Sequence, residues 1–236
     1  MEGWSRKVYL ELPVPSEEDH RPLQERLFAA LEDSGPFRLE RAAYIRMRPK
    51  SLQEAQGICE AGGWRVTAVL CFDGCGWELL RLEPGDTSGA HYGLCADLGS
   101  TTIVMELADL NTGEILASES VFNPQINWGE DILSRIFYTK DRPERRKRLQ
   151  KATAEGFRSL MEGLKEKTGI DAFSCPALTV SGNTAMLHFL LGLDAFGVFQ
   201  TPYAVQTLAP DPCRGEELGI PLDGFVYCCP GMANYL

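Results

Sequence analysis

The sequence contains no run of about 18 consecutive apolar residues, so no helix is expected to cross a membrane. Its first residues, MEGWSRKVYLEL, lack the apolar core of a secretion signal, which sets an expectation of a cytoplasmic protein. Positive charge is scarce: 23 Lys and Arg stand against 33 Asp and Glu, a formal net charge of -10. An acidic surface repels nucleic acid and anionic lipid, so neither is expected as a partner. There is no internal repeat and no low-complexity segment. Zinc and iron–sulfur sites need thiolates in close pairs or triplets. Among the eight cysteines only Cys71 and Cys75, and the neighbours Cys228 and Cys229, come close, and neither pair has a second to match it. The expectation is reduced, mostly buried thiols.

What is present is ordinary for a globular chain: 236 residues, 44% hydrophobic and 24% charged. That is enough for one large domain or two small ones. KVYLEL (7–12) reads as a strand stopped by Pro13 and Pro15. Residues 21–35 carry Leu23, Leu27, Phe28 and Leu31 on one helical face, with Gly35 as a C-cap candidate. RLERAAYIRM (38–47) reads as a strand, and Ser51 with Glu54 as a capping box opening a short helix. WRVTAVLCF (64–72) and WELLRLE (77–83) form a hairpin through Asp73-Gly74. After a turn-rich linker the pattern changes to three strands, the second over 101–110 and the third over 114–122. A helix over 127–140 follows, with Ile132, Ile136 and Phe137 inward. A long one then runs to about 168, capped by Asp141 and Glu144, with a stripe of Leu149, Thr153, Phe157, Leu160 and Leu164. A buried strand (177–182), a helix (183–193) and a short strand (224–230) complete it. The order predicts an α+β module over 1–88, then an α/β ribonuclease-H-like half-domain over 89–236.

One segment carries chemistry. Ala96-Asp97-Leu98-Gly99-Ser100-Thr101-Thr102 places an acid at the end of a buried strand, then a glycine and three hydroxyls in a tight turn. Glycine lets backbone N–H groups approach phosphate oxygens closely, and a turn's amides form an anion-binding concavity. The hydroxyls of Ser100, Thr101 and Thr102 can add hydrogen bonds. Asp97 can hold Mg²⁺ through water or orient an attacking water. A Walker-type loop would show Gly-Lys-Ser/Thr and enter a helix, whereas this turn enters a strand. A plain polar hairpin turn is the rival reading. The pattern matches the first phosphate loop of the actin, sugar-kinase and heat-shock-chaperone superfamily. Gly182-Asn183-Thr184, between a strand and a helix, is a second candidate anion site, with Asn183 equally a plain N-cap.

The run ADLGSTTIVMELADLNTGEILASESVFNPQINWGEDILSRI resembles the start of the ATPase domain in the reductive activators of corrinoid proteins. SGNTAMLHFLLGLD, TPYAV and PGMANY resemble later blocks, and KVYLELPVPSEEDHR and GWRVTAVL the family's middle domain. The resemblance implies ATP and Mg²⁺ as cofactors and reduction of a corrinoid cobalt from Co(II) to Co(I). Its implied partners are a corrinoid protein of a methyltransferase system and a second copy in a homodimer. It implies that Asn123, Gln125, Glu130 and Asp131 line an interdomain cleft. By physics alone these residues are a loop and a helix cap. The family also carries a [2Fe–2S] ferredoxin domain, and no Cys-x4/5-Cys-x2-Cys run occurs here. Its second phosphate loop is likewise not found. The expectation is therefore a fragment that alone binds ATP weakly and hydrolyses none usefully. Rival readings are an ATPase activator of a 2-hydroxyacyl-CoA dehydratase, a small-molecule kinase, and a non-catalytic docking fragment. Arg135 reads as a surface partner of Asp131, His188 as a core or boundary histidine, and the seven basic residues of Lys140–Lys151 as a solvated face.

Overall fold

The computed structural model describes residues 3–34 and 44–233. The chain divides into two compact units, Met1–His91 and Tyr92–Leu236.

In the first unit the elements are β1 (Ser5–Glu11), α1 (Leu23–Asp33), β2 (Ile45–Met47), α2 (Pro49–Ala61), β3 (Arg65–Phe72) and β4 (Trp77–Pro84). The sheet order is β1-β3-β4-β2, antiparallel except for β2 beside β4. Val66, Ala68 and Leu70 of β3 pack with Leu27 and Leu31 of α1 and with Ala55 and Cys59 of α2. The hairpin turn closes because Asp73 Oδ1 accepts from the amides of Cys75 and Gly76, both at 2.8 Å. Ser51 is no cap: its hydroxyl donates to the Leu80 carbonyl, and α2 starts with Arg48 at its N-cap and Pro49 in its first turn. Gly35 and residues 38–43 of the expected strand lie outside the described residues.

The second unit contains β5 (Tyr92–Leu98), β6 (Thr102–Asp109), β7 (Ile115–Phe122), α3 (Ile132–Thr139), α4 (Pro143–Thr168), β8 (Ala177–Gly182), α5 (Thr184–Leu190), β9 (Cys213–Arg214) and β10 (Phe225–Cys228). The sheet order is β7-β6-β5-β8-β10-β9. Strands β5 to β7 form an antiparallel meander, while β8 and β10 continue the sheet in parallel. Alternation decides the faces. Leu94, Ala96 and Leu98 of β5 join Ile103, Met105 and Leu107 of β6 in one core with Phe157, Leu160 and Leu164 of α4. Cys95 and Asp97 point to the other face and are exposed.

The expected stripe on α4 is buried throughout, and Gly169 ends the helix in the left-handed region. Its start differs from expectation. Arg142 holds the N-cap without a side-chain bond and Pro143 opens the first turn, so Asp141 caps nothing. The helix expected over 127–140 is broken at Gly129 into a 3₁₀ turn (Pro124–Trp128) and α3. Phe137 is 51% exposed rather than inward. It packs edge-on against Phe199 at 5.0 Å and Phe196 at 5.9 Å. None of the eight cysteines is in a disulfide, and only Cys59, Cys71 and Cys175 are buried. Cys95 is exposed because it shares the outward face with Asp97. Among the described residues no helix is long and apolar enough to cross a membrane.

Candidate functional site

Strand β5 ends at Leu98 and β6 begins at Thr102, so Gly99, Ser100 and Thr101 make the whole bend. A β-carbon on Gly99 would collide with the Thr102 carbonyl oxygen, which is why this position takes glycine. The bend is fastened from one side. The backbone N–H of Asn123 donates to the Thr101 carbonyl at 2.7 Å, and Asn123 Nδ2 donates to the Gly99 carbonyl at 2.8 Å. Among the described residues the amides of Ser100 and Thr101 donate to no protein group. Thr101 is exposed, and Ser100 and Thr102 are half-buried. The Gly99 and Thr101 carbonyls are engaged, while the Ser100 and Thr101 amides and the hydroxyls of Ser100, Thr101 and Thr102 have no protein partner among the described residues, a donor set of the kind phosphate oxygens accept from.

Asp97 flanks this turn from β5, opposite Val104 on β6 and Ser181 on β8. Its carboxylate is exposed rather than buried and makes no hydrogen bond among the described residues. Among these residues no three His, Cys, Asp or Glu side chains group to hold a metal. One carboxylate with phosphate oxygens is nonetheless the usual setting for Mg²⁺.

The second candidate segment lies beside the turn. Gly182 pairs with Leu98 across β8 and β5, and a β-carbon there would sit 3.0 Å from the Leu98 carbonyl oxygen. Asn183 caps α5 by accepting from the Met186 amide at 3.0 Å. Thr184 is buried and its hydroxyl donates to the Ala233 carbonyl. Gly182 therefore brings the two strand ends together, while the side chains of Asn183 and Thr184 serve the fold.

The four expected cleft residues separate into two pairs. Asn123 and Gln125 are fully buried. Glu130 and Asp131 are exposed, and Asp131 caps α3 by accepting from the Ser134 amide at 2.7 Å. That cap holds the Asp131 carboxyl below the usual carboxylate range. Gln125 Nε2 donates to Thr153 Oγ1 at 2.7 Å and to the Leu149 carbonyl at 3.3 Å, tying the 3₁₀ turn to α4.

Arg135 overturns its expected place. It is fully buried, and its Nε donates to the Gly129 carbonyl at 2.8 Å instead of meeting Asp131. Its Nη1 reaches Gln125 Oε1 at 3.5 Å, and Nη2 has no partner among the described residues. Burial lowers its pKa, with Asp131 opposing the shift. Sequence reasoning missed this cation because a four-residue offset from an acid looks like a surface pair. His188 is buried as expected, with Nδ1 on the Thr184 carbonyl at 2.7 Å and Nε2 unpartnered. Among the thiols, burial pushes Cys213 up to about 11 and Cys228 up to about 12, which leaves both protonated and unreactive at neutral pH.

Two family models match this chain: "RACo middle region" over residues 92–236 and "RACo linker region" over residues 1–89. The chain belongs to the RACo family. The segment likened to the family's middle domain from sequence is thus matched by the linker model, and the middle-region model falls on the unit bearing the Gly99 turn. The chain is similar to a solved structure titled reductive activator for corrinoid, iron–sulfur protein. That likeness has a TM-score of 0.85 and 29% identity, covering 100% of this chain and 37% of the other. It is also similar to the corrinoid activation enzyme RamQ of Eubacterium limosum, with 32% identity over 132 residues. That match covers 56% of this chain and 22% of RamQ. The chain therefore spans well under half the length of either relative.

Proposed function

We propose that this RACo-family chain forms the phosphate-gripping part of an ATP-dependent activator of corrinoid proteins. The chemistry is a one-electron reduction of corrinoid cobalt from Co(II) to Co(I), with the electron supplied by an iron–sulfur carrier such as a [2Fe–2S] ferredoxin domain. The partner in this reading is the corrinoid protein of a methyltransferase system, and a second copy of the chain completes a homodimer. The names of the two relatives support this reading. They favour it over a dehydratase activator.

The observation that carries the nucleotide is the Gly99–Thr101 bend, whose Gly99 and Thr101 carbonyls are bound by Asn123 while the Ser100 and Thr101 amides are not engaged. In this proposal those amides and the hydroxyls of Ser100, Thr101 and Thr102 hold ATP phosphates. Asp97 orients water on Mg²⁺ or at the γ-phosphate. Gly182 sets the second strand end against the first, with Asn183 and Thr184 fixing the helix behind it. Glu130 and Asp131 face the cleft from its rim. The strand order, an antiparallel meander continued by parallel strands, supports reading the second unit as a ribonuclease-H-like half of an actin-type ATPase domain. Closure of such a two-lobed domain on its nucleotide is a means of coupling ATP to a partner.

The test uses the full-length protein with a reductant, Mg²⁺, ATP and a corrinoid protein poised as Co(II). Co(I) absorbance is expected to grow with ATP and to stay flat without it. Equal reduction in the absence of ATP would sink the reading.

A further inference from the structure

The unassigned feature is the division of labour around Asn123. This residue is fully buried, lies just after β7, and opens the 3₁₀ turn. Three of its hydrogen bonds go to three different residues. Its N–H holds the Thr101 carbonyl, its Nδ2 holds the Gly99 carbonyl, and its Oδ1 accepts from the Gln125 amide at 3.0 Å. One side chain thus captures a turn 24 residues away.

We propose that Asn123 is a positioning residue that presets the Gly99–Thr101 bend for phosphate. The proposal rests on the phosphate reading above and adds the device that makes the bend receptive. A carbonyl dipole facing an anion repels it. With the Gly99 and Thr101 carbonyls already held by Asn123, their share of that repulsion is reduced before the ligand arrives. Donors fixed in advance cost no reorganisation at the moment of binding.

The side-chain type follows from this geometry. The group must donate to Gly99 and accept from Gln125 at once, and a primary amide does both. Aspartate keeps the acceptor but sets a carboxylate oxygen against the Gly99 carbonyl. Serine keeps the cap to Gln125 and falls short of Gly99. Asn123 is itself anchored. Pro124 lies against Gly156 of α4, where an added β-carbon would be 3.2 Å from the ring. Gln125 is bound to Thr153 and Leu149 on the same helix, and Arg135 reaches it from α3. The bend is therefore referenced to the longest helix of the unit rather than to its own hairpin. The side-chain amides of Asn123 and Gln125 are each bonded at both nitrogen and oxygen, and buried polar groups satisfied in this way hold one geometry.

The experiment compares full-length wild type with Asn123→Ser, Asn123→Asp and a control, Thr168→Ala, which weakens the C-terminal end of α4 away from the bend. Three quantities are read: the KM and kcat for ATP, the thermal midpoint, and hydrogen exchange at the backbone amide of residue 123 without nucleotide. Loss of one buried hydrogen bond is expected to raise KM about tenfold in Asn123→Ser, and more in Asn123→Asp, with kcat changed less. Exchange at residue 123 should quicken in both. Thr168→Ala should lower the midpoint and leave KM alone. If Asn123→Asp fails to fold, Asn123→Ser decides the matter. A lower midpoint with KM and exchange at wild-type values overturns the proposal. Wild type that binds no ATP overturns the phosphate reading instead, and the exchange rates still report whether Asn123 holds the bend.

Discussion

Gly99 lies so close to the carbonyl oxygen of Thr102 that no β-carbon fits between them. The obstacle is backbone, so it cannot swing aside as a flexible side chain would. Gly99→Ala must therefore open the bend and break its register with Asn123. The expected cost is about 1–3 kcal/mol of stability, as for other overpacked sites. ATP affinity should fall at least about tenfold, since donors displaced by a fraction of an ångström lose their shared target. Calorimetric titration of the full-length variant with ATP, beside its thermal midpoint, checks both. Wild-type affinity in a folded variant would show that the bend is not where phosphate binds.

Asp97 offers the opposite contrast between stability and activity. Its carboxylate is exposed and bonded to nothing among the described residues. Asp97→Asn should leave the unfolding free energy within about 0.5 kcal/mol of the parent, as for surface substitutions generally. Positioned acid–base and metal-orienting groups contribute roughly 10²–10⁴-fold to rates, so ATP hydrolysis should drop by at least about 100-fold. Steady-state hydrolysis by full-length protein with Mg²⁺ measures this. A change under about threefold assigns Asp97 to the surface alone.

The contrast between these two residues shows what the sequence makes legible. The glycine and the acid stand two residues apart in a strand–turn–strand pattern, and local chemistry picks them out. The strands themselves are legible through period-two alternation, and the α4 stripe through its spacing. Asn123 is a different case. Its neighbours Pro124 and Gln125 mark a loop, yet its bond to Gly99 crosses 24 residues and has no local signature. Arg135 was misplaced for a related reason. The glycine that breaks the helix at 129 turns its carbonyl to the guanidinium, and no spacing rule anticipates that. Helix starts differ from expectation where a first-turn proline outweighs the expected side-chain caps, Ser51 with Glu54 at Pro49 and Asp141 with Glu144 at Pro143. Tertiary hydrogen bonds and breaks in helices are set by the assembled fold, and pairwise spacing does not carry them.

Arg135 carries a buried charge with no carboxylate within ion-pair distance among the described residues. Replacing it by methionine removes the desolvation penalty together with the bonds to Gly129 and Gln125. These effects oppose each other, so Arg135→Met should stay within about 1 kcal/mol of the parent. Lysine keeps the buried charge and loses the planar fork of donors, so Arg135→Lys should destabilise by roughly 3 kcal/mol. Urea unfolding of the two variants gives the order directly. A lysine variant as stable as the methionine one would mean that a charge at this position is solvated and overturn the desolvation argument.

His188 makes the acid side of the stability profile predictable. Its ring is buried, and burial lowers its pKa from an ordinary value near 6.5, against smaller opposing effects of the Thr184 carbonyl and Asp194. The Nδ1 position faces a carbonyl and so carries the proton of the neutral ring, which leaves Nε2 bare. In the unfolded chain the imidazole protonates as pH falls through about 6.5, whereas in the folded chain it resists. The unfolded state then binds more protons, so stability falls with falling pH. The contribution is whole above about pH 7 and declines from about 6.5 down to the lowered folded value. Thermal midpoints measured from pH 7.5 to 5.5, above the carboxylate range, should decrease steadily. His188→Leu removes the titrating ring and should flatten that segment. An unchanged slope in the leucine variant would assign the acid sensitivity to other groups.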